Sequence, residues 1–207
     1  MKLKLTPALL GLGLLFGCVP SVNPLYTEKD VVFDPALMGA WSGDNNKETW
    51  AFEKSGDKAY KLLQTDEDGR TAEFEVHLVR LKEHRFLDLY LVDPGMEKDS
   101  KMNSYAGFAL IPGHMFMKVT QIQPTLQIAF LDPDWLKELL EKNPRAIAHK
   151  KIPGNSGDKT EDRIVLTAET EDLQKFILKH INDEKIFGEP GELRRKTNTE
   201  PAQPAKN

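Results

Sequence analysis

From residue 39 onward, apolar and polar residues alternate with a period of two, and turn-forming residues interrupt the alternation at short intervals. This pattern predicts antiparallel β-sheet, because successive side chains of a strand point to opposite faces and one face here is apolar. The clearest predicted strand covers residues 71–80. Its core face carries Ala72, Phe74, Val76 and Leu78, and its opposite face carries Glu73, Glu75 and His77.

The same pattern predicts eight strands in series. They cover residues 37–43, 49–54, 58–65, 71–80, 85–92, 105–111, 114–121 and 125–130. Gly69 supplies the positive φ of a hairpin loop between the third and fourth strands, and Pro112-Gly113 suits the centre of a type II turn. The long polar segment 93–104 predicts a mobile loop. In the fifth strand, Leu87, Leu89 and Leu91 alternate with Phe86, Asp88 and Tyr90.

Helical signals stand on both sides of this sheet. Asp34-Pro35 predicts a single helical turn before it, with aspartate as the N-cap. After it, Asp132-Pro133 begins a helix that Asn143-Pro144 ends. A strand over residues 164–166 then leads to a second helix with Thr170 as its cap. The apolar stripe of that helix is Leu173, Phe176, Ile177, His180 and Ile181, at helical spacing.

The N-terminus combines two lysines, an apolar run over residues 8–16 and the sequence Leu15-Phe16-Gly17-Cys18. This is typical of a secretory signal, because the run is too short to span a bilayer. Its end resembles the lipobox of bacterial lipoproteins, which implies cleavage before Cys18 and acylation of its sulfur. Acylation also accounts for a single cysteine in an exported chain. The alternative is an ordinary hydrophobic N-terminus with an incidental cysteine.

These signals divide the chain into four parts. Residues 1–17 are expected to be a cleaved signal peptide, 18–33 a lipidated tether without regular structure, 34–187 a single domain, and 188–207 a disordered tail whose removal leaves stability unchanged. By the lipobox resemblance, Val19 in place of an aspartate implies the outer membrane, facing the periplasm.

The net charge of the mature chain limits the kinds of partner that it can bind. Without Lys2 and Lys4, 26 basic residues stand against 32 acidic ones, a net charge of −6. No basic run interleaved with aromatic residues is present, so nucleic acid is excluded and anionic lipid headgroups are poor candidates.

The order of the predicted elements resembles that of the lipocalins. It consists of a helical turn, the sequence Gly39-Ala40-Trp41, serial antiparallel strands, a helix and one more strand. The resemblance implies an up-and-down barrel of about eight strands with two C-terminal helices, a floor covered by Trp41, and an interior that binds an apolar ligand. The candidate ligand-binding residues are Phe74, Val76, Leu78, Leu87, Leu89, Met115 and Met117. The chain lacks the family's Thr-Asp-Tyr turn, and Phe130-Leu131 stands where the family has an arginine that stacks on the tryptophan. Trp41 as a core residue of another β-sheet is the alternative.

The sequence carries no recognised catalytic or cofactor motif, so we expect neither an enzyme nor a cofactor. A metal site would need distant residues such as His77, His114 and Asp88, and copper(I) would need Met115 and Met117, for which packing is the simpler role.

Two functions remain open. One is a tethered barrel that binds a lipid or another small apolar molecule. The other is an interaction lipoprotein with a filled core that contacts an envelope protein. Strand number does not separate them, because an eight-stranded barrel can be filled or hold one small ligand.

Overall fold

The computed structural model describes residues 18–43, 47–93, 112–153 and 162–196. Eight antiparallel strands form a closed barrel within them. They are β2 (Gly39–Ser42), β3 (Thr49–Ser55), β4 (Ala59–Thr65), β5 (Thr71–Leu81), β6 (His84–Asp93), β7 (His114–Gln121), β8 (Thr125–Phe130) and β11 (Gly191–Arg195). A two-residue strand, β1 (Val31–Val32), pairs with Leu78 and Val79 of β5, just beyond the part of β5 that pairs with β4. The predicted β-barrel is therefore confirmed.

The remaining elements lie outside the barrel. Strands β9 (His149–Ile152) and β10 (Arg163–Leu166) form a hairpin, so the predicted strand 164–166 does not enter the barrel wall. Helices α1 (Pro133–Lys142) and α2 (Thr170–His180) pack on the outside, and two 3₁₀ helices cover Glu28–Asp30 and Pro35–Leu37.

The eighth barrel strand comes from the C-terminal end of the described chain. Strand β11 pairs with β8 on one side and with β2 on the other. The disorder predicted for 188–207 is therefore wrong over Gly191–Arg195. Only Leu193 contributes a buried apolar side chain, and hydrogen bonding at both edges stabilises the strand instead. The predicted strand 105–111 and most of the predicted loop 93–104 lie outside the described residues, and β6 pairs directly with β7.

Two apolar clusters, one on each side of the wall, stabilise the fold. One fills the barrel, and the other lies between the outer wall and the helices. Phe86 and Asp88, which alternate with the inward leucines of β6, are both buried in the outer layer, because the helices and the N-terminal segment cover that face. Members of the outer cluster include Phe86, Phe116, Leu131, Leu136, Leu173 and Ile177.

Local signals explain most of the element boundaries. The Asp132 carboxylate accepts from the Trp135 N–H and caps α1, which ends before Asn143 as predicted. The Asp34 carboxylate caps the 3₁₀ turn by accepting from the Ala36 N–H. For α2, the N-cap is Glu169 rather than the predicted Thr170, whose hydroxyl instead donates to the Pro24 carbonyl at 2.8 Å.

Candidate functional site

The seven predicted ligand-binding residues lie next to one another inside the barrel. Two cross-strand rows run over β5, β6 and β7. One row is Val76, Leu89 and Met115, and the other is Leu78, Leu87 and Met117. Phe74 lies one row further along β5, opposite Leu91. Their contact with a ligand stays a prediction.

Side chains occupy the part of the barrel that these rows line. Val76, Leu78, Leu87, Leu89 and Met117 are buried in one cluster with large residues from the other strands. Those residues include Trp41, Trp50, Phe52, Tyr60, Leu62 and Leu126. At the end opposite the Pro35–Leu37 turn, the interior is less covered, because Phe74, Met115 and Phe130 are only half-buried. Among the seven predicted ligand-binding residues, Phe74 and Met115 at this rim are the ones that are only half-buried.

Trp41 and Arg195 close the other end of the barrel. The Trp41 indole N–H donates to the Leu37 carbonyl at 2.8 Å, and the Arg195 guanidinium lies 4.3 Å from the tryptophan ring centroid. The same guanidinium donates to the carbonyls of Met38 and Ala36, both at 2.7 Å. Gly39 has φ +104°, and a Cβ there would come within 2.7 Å of Arg195 Nη1. The prediction that no arginine stacks on Trp41 is therefore wrong, because Arg195 of β11 does so.

The N-terminal segment, residues 18–33, docks on the barrel instead of forming a free tether. Ser21 exchanges two backbone hydrogen bonds of 2.8 Å with His114, and Pro20 and Val22 bond to Leu166 of β10. Val19 is 6% exposed and Leu25 is fully buried. Cys18, by contrast, is exposed. The segment is thus an integral part of the fold from the residue after the predicted lipidation site.

A buried carboxylate holds this segment against β6 and β7. Asp88 accepts from the Leu25 backbone N–H at 2.7 Å, and its other oxygen lies 2.7 Å from Nδ1 of His114. The ring of Tyr26 packs against that of His77 at a tilt of 34°, with ring centroids 4.4 Å apart. Burial, reinforced by the Asp88 and Glu75 charges, raises the pKa of Tyr26 to about 12.

Desolvation also lowers the pKa of His77, against the opposite pull of Glu75 and Asp88. A charged imidazole is therefore disfavoured beneath the docked segment.

His77, His114 and Asp88, the residues that a metal site would have needed, are not grouped as metal ligands in the described part of the chain. Within the described ranges, no group of three or more His, Cys, Asp or Glu is placed to hold an ion. Met115 and Met117 belong to the apolar interior cluster, which fits packing. His180 packs between the rings of Trp135 and Phe176. No helix in the described part of the chain is both long and apolar enough to cross a bilayer.

Two surface pockets lie outside the barrel wall. One, of about 190 Å³, is between α1 and the β9–β10 hairpin. The other, of about 300 Å³, is between the outer faces of β7 and β8 and residues 181–190. Comparisons with protein family models, curated proteins and solved structures found no match for this chain.

The hydrophobic pattern missed two features of the site. The docked N-terminal segment had a signal, because Leu25, Tyr26, Val31 and Val32 are apolar residues that a solvated tether does not need. Strand β11 had a weaker one, a single leucine between charged residues.

Proposed function

We propose that this protein is an acylated lipoprotein of the bacterial cell envelope, in which a barrel with a filled interior is held directly on the membrane and acts through its surface. The observation that carries the proposal is that the folded domain begins at Val19, which is buried and lies one residue after Cys18. A lipid anchor at Cys18 would leave no spacer, so the barrel would have a fixed distance from the bilayer. Such an arrangement suits an interaction module that meets a partner in the envelope.

Localisation follows from the same anchor. Two or three acyl chains hold a protein stably on a membrane, whereas one chain binds only marginally. The lipobox-like sequence and Val19 favour the outer membrane, facing the periplasm.

Replacement of Cys18 by serine tests this proposal. We expect Cys18→Ser to give an unprocessed precursor that incorporates no labelled fatty acid, because the sulfur is the acceptor and processing follows lipidation. As a control, Ser21→Cys in the Cys18→Ser background restores a thiol three residues away without restoring the lipobox spacing. Equal fatty-acid labelling of wild type and Cys18→Ser would overturn the proposal.

A second candidate function is binding of an apolar molecule at the half-buried rim of the barrel. It is favoured by the half-buried Phe74, Met115 and Phe130. Native mass spectrometry of the protein purified from its host distinguishes the two functions, because a carrier retains a stoichiometric small molecule and a filled module does not.

Paired truncations add a stability measurement to that comparison. Leu87→Ala, in the filled part, is expected to cost about 2–5 kcal/mol of unfolding free energy. Phe74→Ala, at the rim, should cost less, because its side chain is already partly exposed. If Phe74→Ala alone changes the affinity for a fluorescent apolar probe, the rim is the binding site.

A further inference from the structure

The N-terminal segment and the β9–β10 hairpin form one three-stranded extension beside the barrel. Backbone bonds join Leu166 to Pro20 and Val22, and β9 pairs with β10 along its length. The extension has two faces, since side chains alternate along each strand. One face is buried against the helices and includes Val19, Ser21 and Leu166.

The register places the other residues of these strands on the outward face. Lys150 pairs with Val165, and Ile152 pairs with Arg163, so these four residues share a side. Cys18 and Val22 are one and three residues from Val19 and are exposed, whereas Val19 and Ser21 are buried. We call this surface the anchor face, formed by Cys18, Val22, Lys150, Ile152, Arg163 and Val165.

The chemistry of the anchor face differs from that of the whole chain. Val22 is 49% exposed and Ile152 is 38% exposed, and Lys150 and Arg163 are exposed beside them. Exposed apolar side chains with flanking cations suit the boundary between lipid headgroups and acyl chains. The chain as a whole has a net charge of −4, so this local positive character is not a property of the average surface.

We propose that the anchor face lies on the bilayer, with Ile152 and Val22 at the headgroup level and with Lys150 and Arg163 against lipid phosphates. This inference rests on the proposed acylation of Cys18 and adds the orientation of the protein on the membrane. Because Val19 is fixed in the fold and Cys18 directly precedes it, acyl chains on Cys18 would bring this side of the protein to the bilayer. The expectation that anionic headgroups are poor candidate partners is thereby revised for this face.

Single thiol labels test the orientation. Acylation consumes the one cysteine of the chain, so Ile152→Cys provides a unique site for an environment-sensitive fluorophore in the acylated protein. The matched control is Leu63→Cys. Leu63 is 42% exposed and lies on β4, three strands around the ring from β7, on which the N-terminal segment docks. Mass spectrometry of each preparation first establishes whether Cys18 is acylated.

The acylated proteins are then placed in vesicles of phosphatidylglycerol and phosphatidylcholine that carry brominated acyl chains, which quench nearby fluorophores. We expect at least a twofold loss of fluorescence at position 152 and no loss at position 63. Equal quenching at both positions, or none at 152, overturns the proposed orientation while leaving acylation intact.

Two further results also decide against the orientation. If position 152 is shielded from iodide in native membranes but unquenched in brominated vesicles, a protein covers the face and the lipid proposal is overturned. An unmodified Cys18 overturns both the anchor face and the proposed function.

Discussion

Two side chains, Arg195 and Asp88, bind the two ends of the described chain to the barrel. Arg195 binds the C-terminal end and Asp88 the N-terminal segment. Arg195 joins β11 to the Pro35–Leu37 turn and stacks on Trp41. Asp88 joins the N-terminal segment to β6 and β7. Both contacts are directional and charge-assisted, so they fix where each end docks in addition to stabilising it.

We predict that Arg195→Ala lowers the free energy of unfolding by about 1–2 kcal/mol, the range for charge-assisted hydrogen bonds discounted for partial exposure. It removes two bonds to carbonyls and the cation–π contact. Urea unfolding followed by tryptophan fluorescence measures the change. The matched control is Arg194→Ala on the same strand, where an exposed pair with Glu192 should change stability by no more than about 0.5 kcal/mol. Equal losses for the two variants would contradict a special role for Arg195.

His77 gives the protein a predicted pH dependence. Its pKa is lowered in the fold, so the folded state binds fewer protons than the unfolded state near the ordinary pKa of about 6.5. This contribution to stability is present above that pKa and is lost as the pH falls through the folded value. His180 has a shift of the same sign.

Melting temperatures between pH 8 and pH 5 are therefore expected to fall. His77→Gln should make that decline shallower and leave the part that His180 contributes. His84→Gln serves as the comparison variant at a more exposed position. A decline of unchanged slope in His77→Gln would mean that His77 does not titrate beneath the docked segment.

At the scale of elements, the sequence correctly predicted the turns, helix starts and strand faces that depend on neighbouring residues. The β4–β5 hairpin has Gly69 with φ +80° where a loop glycine was expected, and α1 begins at Pro133 with Asp132 as its cap. The alternation of apolar residues also placed Leu78 of β5, Leu87 and Leu89 of β6, and Met117 of β7 inward.

What the sequence could not predict depends on contacts between residues far apart in the chain. Arg195 and Met38, for example, are 157 residues apart. Strand β11 is stabilised by β2 and β8 rather than by its own apolar content, so its local pattern is that of a solvated tail. The same holds for the outer face of β6, which is covered by elements from both ends of the chain.

Strand β11 is expected to be indispensable, contrary to its tail-like composition. A chain cut after Gly188 loses the strand between β2 and β8, together with Leu193 and Arg195. We expect that truncation to abolish cooperative thermal unfolding or to lower the melting temperature by more than about 10 °C, since each kcal/mol is worth about 2–4 °C at this size. A chain cut after Lys196 keeps β11 and should melt like the full-length protein. If both truncations melt alike, β11 is not needed to close the barrel.

At the scale of the whole molecule, both ends of the described chain are built into one body. The N-terminal segment extends the sheet beside β7, and β11 completes the ring. The strand that completes the barrel, β11, follows both helices in sequence. An anchor at Cys18 would therefore act on a rigid body, and the orientation of the barrel would be transmitted from the first folded residue.

A spacer tests this rigidity. Insertion of ten Gly/Ser residues between Cys18 and Val19 leaves the lipobox-like sequence and the fold unchanged, but it adds a root-mean-square reach of about 16–19 Å. In phosphatidylcholine vesicles, where Lys150 and Arg163 gain little from headgroup charge, we expect the spacer to free the barrel from the surface. Energy transfer from a label at Leu63→Cys to an acceptor among the headgroups should then change in mean and broaden in distribution, while fatty-acid incorporation stays at the wild-type level.

The same spacer inserted in the exposed β3–β4 turn, after Gly56, lengthens the chain equally without separating the barrel from Cys18. If the transfer is identical with and without the spacer at Cys18, the docked N-terminal segment does not set the distance between the barrel and the bilayer.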